Sequence, residues 1–158
     1  MLVEAGDLWT KHQEGHSIVI PVNQERKSNG EAIMGAGLAF EAKLMFPRLP
    51  QQLGQHLVAS QNWRPGFCVY YPDYRLFCLS TKVTWREQAK IETIRRSCEL
   101  LHSLCARYRP IGGITPVTTL NGPVYLPKLG CGCGRLKWSE VQPTMAQQLP
   151  TDSYVVLT

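Results

Sequence analysis

Two glycine-rich stretches and one lysine carry the residue types and spacings that chemistry would need. Leu129-Gly130-Cys131-Gly132-Cys133-Gly134-Arg135 alternates glycine with small side chains. That spacing lets successive backbone N–H groups turn to one side and form a nest around an anion. Met34-Gly35-Ala36-Gly37, ahead of Leu38, stands just before a helical pattern. Glycines there let backbone approach a phosphate closely, and free N–H groups at a helix start attract negative charge. Taken singly, each stretch also fits a tight strand-to-helix turn. Lys82 sits in Thr81-Lys82-Val83-Thr84-Trp85-Arg86. A lysine amine is a nucleophile when unprotonated and a counter-charge when protonated. By residue type Lys82 also fits a solvated strand end. Trp85 and Arg86 fit packing and charge cover for the same loop, although a flat indole is also a surface on which a base can stack.

Other chemistries are not encoded. Neither G-x-x-x-x-G-K-S/T nor a G-x-G-x-x-G after the first strand is present, which removes the usual P-loop and Rossmann sites. Cys68, Cys78, Cys98, Cys105, Cys131 and Cys133 include no C-x-x-C pair and have no matching histidine pair, so no metal is expected. Reduced thiols in a cytoplasmic protein are the expectation instead. His12, His16, His56 and His102 lie near no serine or cysteine constellation and are read as non-catalytic.

The elements that must position these residues alternate between short apolar runs and longer amphipathic ones. Ser17–Val22 reads as a buried strand, and Gly37–Phe46 as a helix stopped by Pro47. Gly66–Tyr71 and Arg75–Leu79 read as a strand pair turning at Pro72-Asp73. From Glu87 to Tyr108, Ile91, Ile94, Cys98, Leu101 and Cys105 recur along one helical face, ending at Pro110 and Gly112-Gly113. Val124–Leu126 is a strand leading into the second glycine cluster. Trp138–Gln148 reads as a helix limited or kinked by Pro143, and Tyr154–Leu157 as a closing strand. This alternation predicts an α/β fold: a mixed, mostly parallel central sheet flanked by helices on both faces, as one domain over residues 1–158.

The bulk properties agree. The chain has 158 residues, 44% hydrophobic and 18% charged, enough for one sizeable core. No apolar run is long enough for a membrane span, and the start has no basic-then-apolar leader pattern. A net charge of +5 favours polyanionic partners, but the charges are scattered and also fit a merely basic surface.

Taken with their flanks, these stretches resemble the macrodomain family, and within it the DarG-type branch of DNA ADP-ribosyl glycohydrolases. Asn29 to Phe46 is similar to that branch's V-N-x-x-G-x-M-G-x-G-I/L-A loop and helix. Thr81 to Arg86 is similar to its T-K-x-x-W-R, and Leu126 to Trp138 to its L-P-x-L-G-C-G-x-G-x-L-x-W. Gly6-Asp7-Leu8 resembles the family's G-D-I/L start. The blocks follow in the family's order over nearly the whole chain.

The resemblance implies a single macrodomain that binds ADP-ribose without cofactor or metal. Its expected partner is ADP-ribose or an ADP-ribosylated macromolecule, with single-stranded DNA favoured over protein, and a monomeric state is expected. Asp7, followed by Leu8, becomes the adenine reader, though by residue type it also fits a helix cap. Gly130, Cys131, Gly132, Cys133, Gly134 and Arg135 would wrap the diphosphate. Met34, Gly35, Ala36, Gly37 and Leu38 would cradle the distal ribose and neighbouring phosphate, with Asn23 and Asn29 facing the ribose hydroxyls. Asn29 keeps the family spacing to Met34, whereas Asn23 lies farther upstream, implying a short insertion. Lys82, beside Thr81, is the residue that assists cleavage at the distal ribose C1″ in these relatives, with Asn29 its catalytic companion. One departure limits the analogy. Protein-directed relatives carry an acidic residue where Gly134 stands, so a resolving carboxylate is missing. Glycine there also fits plain ADP-ribose binding, or phosphatase action on ADP-ribose 1″-phosphate.

Overall fold

The computed structural model describes residues 1–59, 64–109 and 120–158. Its strands are β1 (Leu2–Glu4), β2 (Ile18–Val22), β3 (Cys68–Tyr71), β4 (Leu76–Ser80), β5 (Val124–Leu126) and β6 (Tyr154–Leu157). They form one sheet of order β1-β6-β5-β2-β4-β3. All neighbours run parallel except β3, which pairs antiparallel with β4 at one edge. That last pair is joined by a 3-10 turn, Pro72–Tyr74, with Arg75 in the left-handed region at φ 52°.

Two apolar layers form because strand side chains alternate between faces. On one face Val19, Phe77, Leu79, Val124, Leu126, Tyr154 and Val156 pack with α4 (Ile91–Ala106) and α5 (Trp138–Gln148). On the other, Ile18, Ile20, Val22, Leu76, Cys78, Tyr125, Val155 and Leu157 meet α1 (Leu8–Gln13), α2 (Gly37–Met45) and α3 (Leu49–Ala59). The expected α/β sheet covered on both faces is therefore present. No helix among the described residues is long and apolar enough to cross a membrane.

Helix α4 begins at Ile91, four residues after the expected Glu87. The Glu87 carboxylate instead accepts the N–H groups of Val83 (2.7 Å) and Thr84 (3.1 Å), closing a loop rather than a helical turn. Pro110 and Gly112-Gly113, its expected stop, lie outside the described residues. Helix α5 runs through Pro143, because Val141 and Met145 are fully buried and outweigh the lost backbone bond. β1, α1 and α3 carry no clear signal in the sequence. In α3 the Pro50 and Gly54 positions read as breakers, yet proline is tolerated in a first turn and Gly54 lies directly against the Gly30 carbonyl, where a side chain has no room.

Ile94 is completely buried at the centre of the α4 face. Ile94→Ala is expected to lower unfolding free energy by about 2–5 kcal/mol. Ser103→Ala, on the exposed side of the same helix, should stay within about 0.5 kcal/mol. Denaturant titration of both variants checks the assignment of faces.

Candidate functional site

Three adjacent parallel strands, β5, β2 and β4, release their chains at the same edge of the sheet. The loops that follow them enclose a cleft of about 680 Å³. Ligands of open parallel sheets bind in this position, beyond the carboxyl ends of the strands. Its wall includes Asn23, Gly35, Ala36, Gly37 and Leu38 after β2, and Thr81 and Lys82 after β4. Gly130, Gly132, Cys133 and Gly134 after β5 complete it. Residues from three separate stretches of sequence thus meet at one site.

The loop after β5 is shaped by its own hydrogen bonds. Cys131 N–H donates to the Lys128 carbonyl (3.2 Å), Arg135 N–H to Gly132 (3.0 Å) and Leu136 N–H to Gly130 (2.9 Å). The N–H groups of Gly132, Cys133 and Gly134 have no acceptor among the described residues. Three successive free donors in a loop are a site for an oxyanion. Across the cleft the start of α2 is likewise uncapped, since Ala36 supplies no side-chain acceptor. Its first N–H groups add donors and the positive end of the helix dipole.

The glycines of these loops divide by what a side chain would meet. A Cβ on Gly134 would lie 2.5 Å from the Gly130 carbonyl oxygen and 2.7 Å from the Ala89 methyl. Ala89 N–H also donates to the Gly134 carbonyl (3.0 Å), locking the two loops together. No acidic side chain fits at this position without moving backbone. Gly130 is equally confined, at φ +72° and against Ile94 and Leu136. Gly35 and Gly132, by contrast, would point a Cβ into open space.

Lys82 is only 9% exposed, and its Nζ donates to the Trp85 carbonyl at 3.1 Å. Among the described residues no carboxylate pairs with it. The strand end that carries it is anchored from beneath. Ser97 Oγ donates to the Ser80 carbonyl (2.7 Å), while Ser80 Oγ donates to Gln24 (2.9 Å) and accepts from Phe67 N–H (3.0 Å). Among the described residues, the ionisable side chains on the cleft wall are Lys27, Lys82, Lys128 and Cys133, with no aspartate, glutamate or histidine.

Other expected site residues are placed elsewhere. Met34 is buried in the core below its loop, and Leu8 in the same layer. Asp7 caps α1, its carboxylate accepting the N–H (2.8 Å) and hydroxyl (3.0 Å) of Thr10, and is not on the cleft wall. Cys131 packs toward the core and Arg135 turns outward at φ 62°. The insertion after Asn23 folds as a small hairpin, with Arg26 bridged to Ala32 and Lys27 N–H donating to Glu31 (2.7 Å). Asn29 sits exposed at its turn, accepting from Glu31 N–H (3.0 Å), so the wall receives Asn23 and not Asn29. Lys27, Trp85, Pro127 and Lys128 line the cleft without having been singled out as ligand-binding residues. Trp85 had a signal in the T-K-x-x-W-R block; Lys27, within the insertion, had none.

The sheet order, the helices on both faces and the cleft at the β5-β2-β4 edge define a macrodomain fold. Solved structures similar to this chain include two DarG macrodomains and a DarTG. The chain matches the macrodomain of Thermus aquaticus DarG with a TM-score of 0.72 and 23% identity, over 99% of this chain and 97% of that one. The macrodomain of Mycobacterium tuberculosis DarG matches with a TM-score of 0.71 and 22% identity, over 99% and 95%. Thermosipho africanus DarTG in complex with ADP-ribose matches with a TM-score of 0.68 and 20% identity, over 100% of this chain and 42% of that one. No protein-family model and no curated protein matches the sequence.

Two sets of measurements follow from the geometry. Gly134→Ala and Gly130→Ala should each destabilise the fold by about 1–3 kcal/mol, through overpacking. Gly35→Ala and Gly132→Ala should remain within about 0.5 kcal/mol, read by denaturant titration. Burial pushes the Cys78 and Cys98 thiols up to about 12 and Cys105 up to about 11, whereas Cys133 is exposed. Iodoacetamide at neutral pH should therefore label Cys133 first, as followed by peptide mass spectrometry; earlier labelling of Cys78 or Cys98 would contradict this packing.

Proposed function

We propose that the cleft binds ADP-ribose and that the protein removes it from a modified target, with nucleic acid favoured over protein. The observation that carries this reading is the pair of donor-rich loops facing each other across the cleft with Lys82 in its wall. A diphosphate requires several N–H donors from backbone that can approach closely, and Gly132, Cys133 and Gly134 offer three. The uncapped start of α2 would hold the second phosphate and the distal ribose, with Asn23 at the ribose rim. The structure of Thermosipho africanus DarTG in complex with ADP-ribose supports the choice of ligand.

Catalysis in this reading rests on Lys82. In its unprotonated form the amine would attack the ribose C1″ as the bond to the target breaks, the electron pair and a proton going to the departing group. Water would then release ADP-ribose from the lysine adduct. Trp85 O holds the amine in place, and among the described residues the surrounding wall supplies no carboxylate or histidine to share the work. The same absence of acid–base partners favours a second reading, in which the protein holds ADP-ribose without cleaving it. Phosphatase action on ADP-ribose 1″-phosphate is a further alternative on the same cleft. The net charge of +5 supports a nucleic-acid target.

Calorimetry should show binding of ADP-ribose, and Gly132→Ala should weaken it by about tenfold while folding normally. No heat and no thermal stabilisation at millimolar ADP-ribose would sink the proposal. Incubation with ADP-ribosylated single-stranded DNA should release ADP-ribose, and Lys82→Ala should slow that release by about a hundredfold or more. Full activity in Lys82→Ala removes the mechanistic role. Binding without release from either modified DNA or modified protein selects the second reading.

A further inference from the structure

Trp85 is 48% exposed and, of the exposed large apolar side chains among the described residues, it is the one that stands in the cleft wall. Its loop is clamped rather than loose. Trp85 N–H donates to Glu25 (3.3 Å), its carbonyl accepts from Lys82 (3.1 Å), and Glu87 fixes the two preceding N–H groups. The Arg86 guanidinium lies 4.9 Å from the indole ring centre, and Arg86 is not itself on the cleft wall. One face of the ring is thus occupied by a cation while the side chain borders the cleft.

The charges around the ring have one net sign. Lys27 and Lys128 share its wall, and Arg86 adjoins it. The nearby carboxylates are already engaged, Glu25 with Trp85 N–H and Glu87 with two N–H groups and Lys90 (3.4 Å). An indole on a clamped loop segment beside Lys82, with Arg86 over its ring and Lys27 and Lys128 on the same cleft wall, suits a planar group carrying anionic neighbours. We infer that Trp85 is the stacking platform for the nucleobase of a single-stranded nucleic acid at the mouth of the cleft, with Lys27 and Arg86 meeting the flanking phosphates. Bases offer a π-face whatever their sequence, and a side chain carried on backbone that is already clamped has less freedom to lose on stacking. This makes Trp85 a residue that selects the class of acceptor, and it deepens the ADP-ribose reading on which it rests.

The test uses the two products of the proposed reaction, so that nothing turns over. The full chain is first saturated with ADP-ribose, and that step is monitored by calorimetry. A fluorescently end-labelled single-stranded oligonucleotide is then titrated in, followed by anisotropy. Trp85→Ala should weaken the oligonucleotide by about tenfold, Trp85→Phe should restore most of the loss, and the salt dependence should stay unchanged because the phosphate contacts remain. Wild-type protein should also prefer the oligonucleotide to an abasic strand of equal charge. Equal binding of the abasic strand overturns the stacking role. So does a Trp85→Ala variant that keeps full oligonucleotide affinity, or one that instead loses an ADP-ribosylated peptide. Failure of the first step, saturation with ADP-ribose, removes the underlying reading and is recorded separately.

Discussion

The pairing of β2 with β4 on one side and β5 on the other is the constraint on which the site depends. All three strands are buried on both faces, and the parallel ladder from Ile18–Leu76 to Val22–Ser80 lets no register slip without turning apolar side chains to the wrong layer. Because the strands run the same way, the segments after Val22, Ser80 and Leu126 leave the sheet side by side. The donors, the lysine and the asparagine meet because the ladder delivers them to one edge.

A second constraint shapes the loop after β5. Gly134 packs its bare Cα against the Gly130 carbonyl while its own carbonyl receives Ala89 N–H. That contact holds the loop in a turn that leaves the N–H groups of 132–134 free. It also explains why an acidic residue is missing there: a carboxylate on residue 134 would have to displace backbone, not a flexible side-chain tip. The glycine is a packing requirement that removes one chemical option, and Lys82 is left as the buried amine in the cleft wall. Lys82 is in turn held by Trp85, whose loop is tied through Glu25 to the hairpin after β2. The amine, the Trp85 backbone and Asn23 are therefore linked through one hydrogen-bonded frame.

Much of this was legible in the residues. Short continuous apolar runs marked β2, β4, β5 and β6, and the steps of three and four from Ile91 to Cys105 marked the buried face of α4. Those signals survive because they report burial, which the strand or helix must satisfy wherever its neighbours lie. The alternating glycines after β5 and the Gly35–Gly37 stretch before α2 stood out for the same local reason, since few residue types tolerate such turns. Chemistry-bearing types also showed themselves: Lys82 and Trp85 stand in a compact block whose loop closes on itself through Glu87.

Tertiary structure alone decided the rest. Asn23 and Asn29 are equivalent by type, and the spacing to Met34 favours Asn29, yet the hairpin carries Asn29 to an exposed turn and leaves Asn23 on the wall. Asp7 is an adequate cap or an adequate ligand by type; the fold shows that it does cap α1, through Thr10. Helix α3 was hidden because Pro50 and Gly54 look like breakers until the first turn and the Gly30 contact are seen. Gly132 and Gly134 are identical in sequence, one facing open space and the other pressed on backbone. Sequence determined which local conformations and burials were possible, because those are set within a few residues. Which groups face the cleft depended on contacts between distant segments, and only the folded sheet brings those segments together.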